Sequence, residues 1–321
     1  MILNVTLKMI LRSWWRNKVF FLVSVASLAL GLACTNLLMT YFVHEHGVEG
    51  HNPDRDRMFF LQQDDPMTEG KRVAYAAAEI PLQLKEGYAE VEDFLRLGKL
   101  DMLYCKVDGQ KVERDFMLIS ADTTLTHFFD YRTAEGSLEQ VLRQPGKMAL
   151  STACARSLFG ERQAIGKQVE VHLAYGGART YEVAAVLKER EQSLLQFDML
   201  TANEPDLFWG GPTLLKLTPG TDAARLADKL NADKVPTFMP GQTKYYLDPL
   251  DAICFTTPDD ASQQTLDFVS QTPVQTLYIS LLAAVLILVI ACCNYTNMSL
   301  SRLLQQLRMI HVEKLMGATL R

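Results

Sequence analysis

One segment of the chain, Gly160–Lys167 (GERQAIGK), has the glycine and lysine content of a phosphate-binding loop. The P-loop pattern is G-x-x-x-x-G-K-[ST], in which the final hydroxyl binds magnesium. This segment has one residue too many between its glycines, and Gln168 stands at the hydroxyl position. We therefore expect a structural turn here, no bound cofactor, and neither ATP binding nor ATP hydrolysis by this chain.

Residues of metal-ligating types cluster just after the first apolar run, where His44, His46 and His51 lie near Glu45 and Asp54 in sequence. A metal site on one helix needs a rigid spacing such as H-E-x-x-H, which this cluster lacks. A polar linker that follows an apolar helix explains the same residues more simply. We therefore predict no metal site.

The nucleophilic residues form no catalytic constellation either. Ser151 is not part of a G-x-S-x-G nucleophile elbow, and the six cysteines contain no C-x-x-C pair. Three cysteines lie in apolar runs, and the other three, Cys105, Cys154 and Cys254, are widely spaced. At most one disulfide can form among these three, and the sequence leaves open which one. We predict that the chain is not an enzyme.

Charge is distributed unevenly along the 321 residues. Residues 1–43 contain four bases and no acid, and residues 276–321 contain four bases and one acid. Subtracting these from the totals of 32 bases and 37 acids leaves 24 bases and 36 acids for residues 44–275, a net charge of −12. An acidic middle region argues against nucleic acid as a partner, because phosphate binding needs a basic surface.

Two uncharged runs are long enough to cross a membrane, Val19–Val43 with 25 residues and Thr276–Tyr295 with 20. A bilayer core of about 30 Å needs roughly 20 helical residues. A cleaved signal peptide is the alternative for the first run, but the run is too long for one and no small-residue cleavage site follows it. Residues 1–18 carry apolar side chains at helical spacing and predict an amphipathic helix at the inner membrane surface.

The bases on the flanks predict the orientation, because positively charged flanks stay in the cytoplasm. Bases precede the first run and follow the second, so both flanks are predicted to lie in the cytoplasm. The predicted organisation is an amphipathic helix at 1–18, a first span at 19–43, an external domain at 44–275, a second span at 276–295 and a cytoplasmic segment at 296–321.

The first span also carries a stripe of small residues. Ser27, Gly31 and Thr35 recur every four residues, which places them on one side of the helix. Small side chains let another helix approach closely. The stripe is therefore a predicted packing surface, although small residues are also common in membrane helices in general.

The region between the spans has a mixed α+β pattern. Strands are predicted at Arg57–Gln63 and Lys147–Leu150, hairpins at Met102–Val107 with Lys111–Ile119 and at Val169–Leu173 with Thr180–Leu187, and a strand–helix–strand unit at Thr213–Leu217, Asp222–Leu230 and Lys244–Leu250. Ala76–Leu97 is predicted to be mostly helical. A helix at Ser151–Phe159 has Ser151 as its predicted N-cap and Gly160 as its stop. We therefore predict a mixed α/β domain of two lobes between two transmembrane helices.

A series of short motifs runs through the chain. LRSWWRNKVF and LALGLAC come first, then HNPDRDRMFFL, then LFG, AIGK, YEVAAVLK and SLLQFD in that order, and finally IACCNYTNMSLSRLLQQLRMIHVEKLMGATLR. In this order they resemble the MacB/FtsX-like permeases of ABC transporters. The resemblance covers the whole chain and is most specific in residues 148–200. In the family this stretch is a strand, a helix ending in Phe-Gly, a turn, a hairpin and a Phe-Asp strand.

The resemblance implies a permease of the bacterial inner membrane with a MacB-like periplasmic core domain. A separate cytoplasmic ABC ATPase binds the ATP, and coupling elements relay its closure to the periplasmic domain, either for efflux or for mechanotransmission across the envelope. The implied coupling segment is Met309–Thr319, in which Ile310, Glu313, Lys314, Gly317 and Ala318 are the implied contacts with the ATPase. The residues themselves predict a short basic helix that ends at Gly317. The alternative is a positively charged flank of the second span.

The implied partners are the ATPase, a second permease copy or half, a periplasmic adaptor and the lipid membrane. Permeases of this family have more than two membrane helices, so the chain is expected to be an N-terminal half, as a fragment or from a split gene. The competing interpretation is a two-span sensor or receptor with an extracytoplasmic ligand-binding domain. The motif series favours the permease. The substrate and the oligomeric state do not follow from the sequence.

Overall fold

The computed structural model describes residues 18–64, 71–190, 193–237, 244–255 and 266–315. The chain divides into two compact units. One is a helical unit, formed by the residues up to His46 and from Gln275 onward, and the other is a central domain, Gly47–Val274. The predicted amphipathic helix lies outside the described residues, apart from Lys18.

Helices and strands are numbered separately in chain order. The helices are α1 (Lys18–His46), α2 (Ile80–Gly87), α3 (Leu125–Phe128), α4 (Leu138–Arg143), α5 (Thr152–Phe159), α6 (Ala223–Ala232), α7 (Leu250–Cys254) and α8 (Val274–Leu315). The strands are β1 (Met58–Asp64), β2 (Arg72–Val73), β3 (Ala76–Ala77), β4 (Val91–Lys99), β5 (Met102–Val107), β6 (Gln110–Val112), β7 (Leu118–Ala121), β8 (Thr133–Gly136), β9 (Lys147–Ser151), β10 (Gln168–Leu173), β11 (Ala178–Leu187), β12 (Met199–Ala202), β13 (Gly210–Gly211), β14 (Thr213–Leu217) and β15 (Tyr245–Pro249).

The helical unit contains two helices that are long and apolar enough to cross a membrane. The stretch in α1 is Val25–Glu45, with a mean hydropathy of 1.6, and the stretch in α8 is Val274–Ser301, with 2.7. Both helices expose large apolar side chains, among them Leu37 and Ile290, which a hydrocarbon environment accommodates. Helix α8 continues without a break to Leu315, well beyond the predicted second span.

The central domain is built on one large mixed sheet. Its order is β15-β1-β14-β4-β7-β12-β9-β11-β10-β5-β6, with β2 paired to β1 and β8 paired to β11. Strand β4 pairs with β14 on one side and with β7 on the other, both antiparallel. The pairs β7–β12 and β9–β11 are parallel. The predicted mixed α/β fold between two apolar helices is confirmed, and β4 joins the two halves of the sheet.

Helices cover the sheet because each presents one apolar side to it. Against the half that contains β1 and β14, α2 and α6 bury Leu84 and Leu230. Against the other half, α5 buries Leu158 and Phe159, and α4 buries Val141 in a third cluster. Each large apolar side chain that is fully buried contributes about 1.5–3 kcal/mol to stability.

The local signals around α5 are confirmed. The hydroxyl of Ser151 accepts a hydrogen bond from the backbone N–H of Cys154 at 3.1 Å, so Ser151 is the N-cap. Gly160 has φ +64° at the C-cap, a conformation that favours glycine. The Asp108–Gly109 turn also has positive φ at both residues, as expected for the tight hairpin β5–β6.

Two sequence predictions are wrong. Ala76–Leu97 was predicted to be mostly helical, but only α2 is helical, and β4 occupies the end of this segment. Strand β4 is central in the sheet, and its buried positions, which include Asp93 and Gly98, do not alternate with exposed ones. The predicted strand Lys111–Ile119 is instead the short β6 and the separate β7, which pairs with β4 and β12.

Candidate functional site

The segment Gly160–Lys167 is a structural turn between α5 and β10. Gly166 has φ +81° and its N–H donates to the carbonyl oxygen of Val183 at 2.8 Å. The N–H of Val183 donates in turn to the carbonyl oxygen of Lys167 at 2.8 Å. These bonds attach the turn to β11 and use backbone groups that a phosphate loop would point at its ligand. The predicted turn is confirmed.

The predicted coupling residues lie at the end of α8. Ile310, Glu313 and Lys314 are in the last two turns of this helix, whereas Gly317 and Ala318 lie outside the described residues. The predicted coupling segment therefore begins on the same continuous helix as the second apolar stretch. A rigid helix couples its two ends mechanically, because its backbone hydrogen bonds join every turn to the next.

The three residues of the small-residue stripe all lie against α8. A Cβ atom added to Gly31 would come within 2.5 Å of the Cβ atom of Ala291. One turn further on, the hydroxyl of Thr35 donates to the carbonyl oxygen of Ala284 at 3.2 Å. One turn earlier, the Ser27 hydroxyl faces Asn294. The two helices thus pack antiparallel along a seam of small residues.

Asn294 was not identified from the sequence as a packing residue. Its side-chain amide donates to Ser27 Oγ at 2.7 Å. A polar side chain in an apolar stretch needs a partner on a neighbouring helix, because the hydrocarbon offers none. An asparagine near the end of the second uncharged run was the available signal. Reading each span separately gave no reason to pair it with Ser27.

The metal-ligand types near the end of α1 do not assemble into a site. Among the described residues, no group of three or more histidine, cysteine, aspartate or glutamate side chains is arranged to hold a metal ion. His44 is on α1 and His51 is exposed in the following turn. Asp54 is engaged by two cations, Arg57 and Lys216.

The three cysteines of the central domain are buried free thiols. Cys105 and Cys154 lie in the same apolar cluster, and Cys254 lies in a different one. Burial raises the pKa of Cys254 to about 12 and raises the pKa values of the other two as well. Protonated buried thiols are weak nucleophiles, so these cysteines act as apolar packing residues.

A buried and multiply hydrogen-bonded polar cluster lies where the central domain begins. The carboxylate of Glu49 is fully buried and forms a two-bond ion pair with Arg190, at 3.1 Å from Nη1 and 2.6 Å from Nη2. The guanidinium carbon of Arg190 lies 5.8 Å from the ring centre of Phe129 and 5.5 Å from that of Tyr131. Burial raises the pKa of the Tyr131 hydroxyl, which lies 3.3 Å from Ser193 Oγ.

The backbone of Leu194 connects this cluster to the segment that leads out of the domain. Its N–H donates to Glu49 Oε1 at 3.0 Å, and its carbonyl oxygen accepts from the N–H of Ser270 at 2.7 Å. The N–H of Gln196 donates to the carbonyl oxygen of Phe268, also at 2.7 Å. One loop, Ser193–Gln196, therefore contacts both the first and the last part of the domain.

A second ion cluster lies next in sequence. Asp54 accepts from Lys216 Nζ at 2.5 Å and from Arg57 Nη2 at 2.6 Å. The hydrogen bonds from Lys216 and then from Arg57 lower the pKa of Asp54 below its ordinary value. The cluster attaches the residues before β1 to β14.

A cavity of about 640 Å³ opens beside these clusters. Its lining comes from three loops and includes Glu49, Asp54, His127, Arg132 and Arg190. Within the lining, Glu49 pairs with Arg190 and Asp130 with Arg132, and Asp54 pairs with Lys216 outside it. These pairs neutralise much of the charge of the lining.

Sequence reasoning missed Glu49, Arg190 and Leu194. Glu49 and Arg190 are separated by 141 positions, and no local motif connects residues so far apart. The SLLQFD motif did point to the right loop, since Ser193–Asp198 contains Leu194. It gave no reason to expect that a main-chain group of this loop would bind a buried carboxylate.

No protein-family model matches this sequence. No curated protein is significantly similar to it either. Several solved structures are similar in fold. A domain of a permease protein from Porphyromonas gingivalis has a TM-score of 0.49 and 18% sequence identity, over 61% of this chain and 91% of that one.

Two further structures complete the comparison. The periplasmic region of MacB from Actinobacillus actinomycetemcomitans has a TM-score of 0.44 and 9% identity, over 62% of this chain and 91% of that one. The extracellular domain of the noncanonic ABC-type transporter YknZ from Gram-positive bacteria has a TM-score of 0.43 and 16% identity, over 59% of this chain and 98% of that one.

Proposed function

We propose that the chain is a permease subunit of a MacB/FtsX-like ABC transporter. One observation carries the proposal. The motif series LFG, AIGK, YEVAAVLK and SLLQFD folds in the order that the resemblance implies: β9, a helix ending in Phe159-Gly160, the Gly166 turn, the hairpin β10–β11, and Phe197-Asp198 leading into β12. This series lies in a domain flanked by two helices apolar enough to span a membrane.

In this proposal the two helices cross the bacterial inner membrane and the central domain lies in the periplasm. The bases before Val19 and after Tyr295 support this orientation. ATP is bound by a cytoplasmic ABC ATPase and not by this chain, which has no catalytic role of its own. A second permease copy or half completes the membrane part, and a periplasmic adaptor is a further partner.

The ATPase docks on the end of α8, around Ile310, Glu313 and Lys314. Closure of the ATPase on ATP moves this end. Because α8 is one helix from Val274 to Leu315, the movement reaches Val274, the residue at which the chain leaves the central domain. Motion of that domain then drives efflux or a signal across the envelope.

The test is co-purification with the cognate ABC ATPase from membranes that contain the full chain and its companion permease segment. Lys314→Glu is expected to reduce ATPase recovery at least several-fold, because it reverses a charge at the docking segment. The matched control is Arg308→Glu, the same charge reversal about 9 Å earlier on α8. Equal recovery with both variants and the wild type would refute the docking role and favour the two-span receptor.

A further inference from the structure

Two segments connect the central domain to the apolar helices, and they are held in different ways. The first segment, Gly47–Arg55, directly follows α1, and the last, Leu266–Ser270, directly precedes the approach to α8. Both contact the same four residues, Ser193–Gln196, which we name the anchor loop. A single loop therefore holds both segments.

The last segment is held by main-chain bonds and apolar burial. Leu195 and Val269 form an antiparallel bridge, and the neighbouring N–H groups of Gln196 and Ser270 each donate across it at 2.7 Å. Phe268 is fully buried in the core. The bond from Thr272 N–H to the carbonyl oxygen of Cys254, at 2.8 Å, extends this attachment. One side-chain ion pair, between Lys99 and Asp267, adds to these main-chain bonds.

The first segment is held mainly by polar side chains, with Val48 as its buried apolar contact. Glu49 supplies a buried carboxylate to Arg190 and to Leu194 N–H, and the Asn52 amide donates to the carbonyl oxygen of Phe128 at 2.6 Å. The backbone bonds at Gly50 and Asn52 are local turns within the segment. Glu49 also has φ +54°, a left-handed conformation that is strained for a residue with a side chain.

Arg190 has room to leave the pair. Its side chain is 20% exposed, whereas that of Glu49 is 0% exposed, and both line the cavity of about 640 Å³. When Arg190 moves into the cavity, the buried carboxylate loses its countercharge and the strained Glu49 backbone can relax. Breaking a buried ion pair leaves an uncompensated charge. We therefore expect the loss of Arg190 as a partner and the relaxation of the Glu49 backbone to occur together.

We propose that the anchor loop is an asymmetric joint, in which the Glu49–Arg190 pair is a latch that opens while the Leu195–Val269 side stays closed. Opening loosens the start of Gly47–Arg55, whose far end stays attached through Asn52 and Asp54. The proposal rests on the proposed function only for the force that opens the latch, which would arrive through α1. The asymmetry itself belongs to the domain and needs no ATPase.

The test is hydrogen–deuterium exchange of the full chain in lipid nanodiscs, without ATPase. Glu49→Gln places an amide N–H against the Arg190 guanidinium, and Arg190→Met removes the cation. Each is expected to speed exchange in residues 47–55 by about ten- to a hundredfold, with residues 266–270 still protected. The double variant is expected to add little, because either change alone already opens the latch.

Two further variants keep the test decisive. Arg190→Lys retains the charge and the fold but loses the two-bond geometry, so intermediate exchange is expected. Asp122→Asn is the matched control, because it breaks the comparable Arg96–Asp122 pair of the same domain. In that pair Arg96 Nε lies 2.7 Å from Asp122 Oδ2. This variant should leave the exchange rate of residues 47–55 unchanged. Equal loosening of both segments, or wild-type exchange in Arg190→Lys, would overturn the proposal. Failure of the wild-type chain to recover the ATPase, with the expected exchange pattern intact, would refute only the proposed function.

Discussion

Asn294 donates a hydrogen bond to Ser27 at 2.7 Å, and this bond joins two helices whose other side chains at the seam are small or apolar. Gly31 and Ala291 lie one turn away, where a Cβ atom on Gly31 would come within 2.5 Å of the Ala291 Cβ atom. The bond fixes how far α8 can slide along α1, because a shift by one turn would leave the Asn294 amide without this partner. A helix that slid freely could not pass movement from one end to the other.

Gly31→Val is expected to separate the two helices. The first carbon of the new side chain would lie 2.5 Å from the Ala291 Cβ atom, far inside contact distance. Overpacking of this kind costs about 1–3 kcal/mol. Pulsed-EPR distances between labels at Leu37 and Leu282, in a background without the native cysteines, should lengthen, and the thermal midpoint in detergent should fall.

The matched control for this variant is Leu30→Val, one position earlier. Leu30 is 66% exposed, so the same new side chain lies on the outer side of the helix. Its EPR distances should equal those of the parent protein. An unchanged distance in Gly31→Val would mean that the helices do not pack along the Ser27–Thr35 stripe.

Gly166→Val should destabilise the central domain without affecting any binding activity. Nothing lies within 4 Å of the position of the new Cβ, so the effect comes from φ +81° alone. A β-branched residue in this conformation costs about 1–3 kcal/mol. The measurement is thermal unfolding of the full chain. Gly87→Val is the comparison, since that site is equally open and lacks a positive φ; equal melting of the two variants would contradict the turn assignment.

The free energy of unfolding of the central domain should fall at acid pH, because Asp54 becomes protonated there. Lys216 and Arg57 lower its pKa, so its contribution is present above the ordinary aspartate value of 3.8 and is lost as the pH falls through the lowered value. Asp54→Asn should cost about 1 kcal/mol at neutral pH and flatten the acid limb of a thermal stability profile. Asp130→Asn, at the exposed pair with Arg132, should change neither. A steep acid limb that persists in Asp54→Asn would refute this assignment.

The proposed orientation predicts opposite accessibility at two exposed positions. A cysteine at Tyr175, which is 83% exposed in the β10–β11 hairpin, should react with a membrane-impermeant maleimide in intact spheroplasts. A cysteine at Arg308 should react only after the membrane is opened. Labelling of position 308 from outside would reverse the orientation and remove the ATPase from the proposal.

The parts of the fold that were predictable from sequence have local causes. The Ser151 cap, the Gly160 stop and the Asp108–Gly109 hairpin each depend on residues within a few positions of one another. Strand β4 was misread because the burial of its residues depends on pairing with β14 and β7, which both lie outside the segment Ala76–Leu97. Local periodicity cannot report a strand that is covered on both faces.

The same distinction between local and distant partners applies to the helix-packing stripe and to the Glu49–Arg190 pair. The stripe Ser27–Gly31–Thr35 was visible because one helix carries all of it, whereas its partner Asn294 lies 267 positions away from Ser27. Glu49 and Arg190 read as ordinary surface charges in a polar linker and a polar loop. Only the folded chain brings them together, because burial and pairing are properties of the tertiary structure.

Leu194 contacts Glu49 through its N–H and Ser270 through its carbonyl group, so the chain enters and leaves the central domain at nearly the same place. In topological terms, the domain is an insertion with adjacent termini. Such domains tolerate circular permutation, because the old ends can be joined by a short linker and new ends opened in an exposed loop. The same adjacency makes the domain a module that recombination can exchange without changing the spacing between the two helices that carry it.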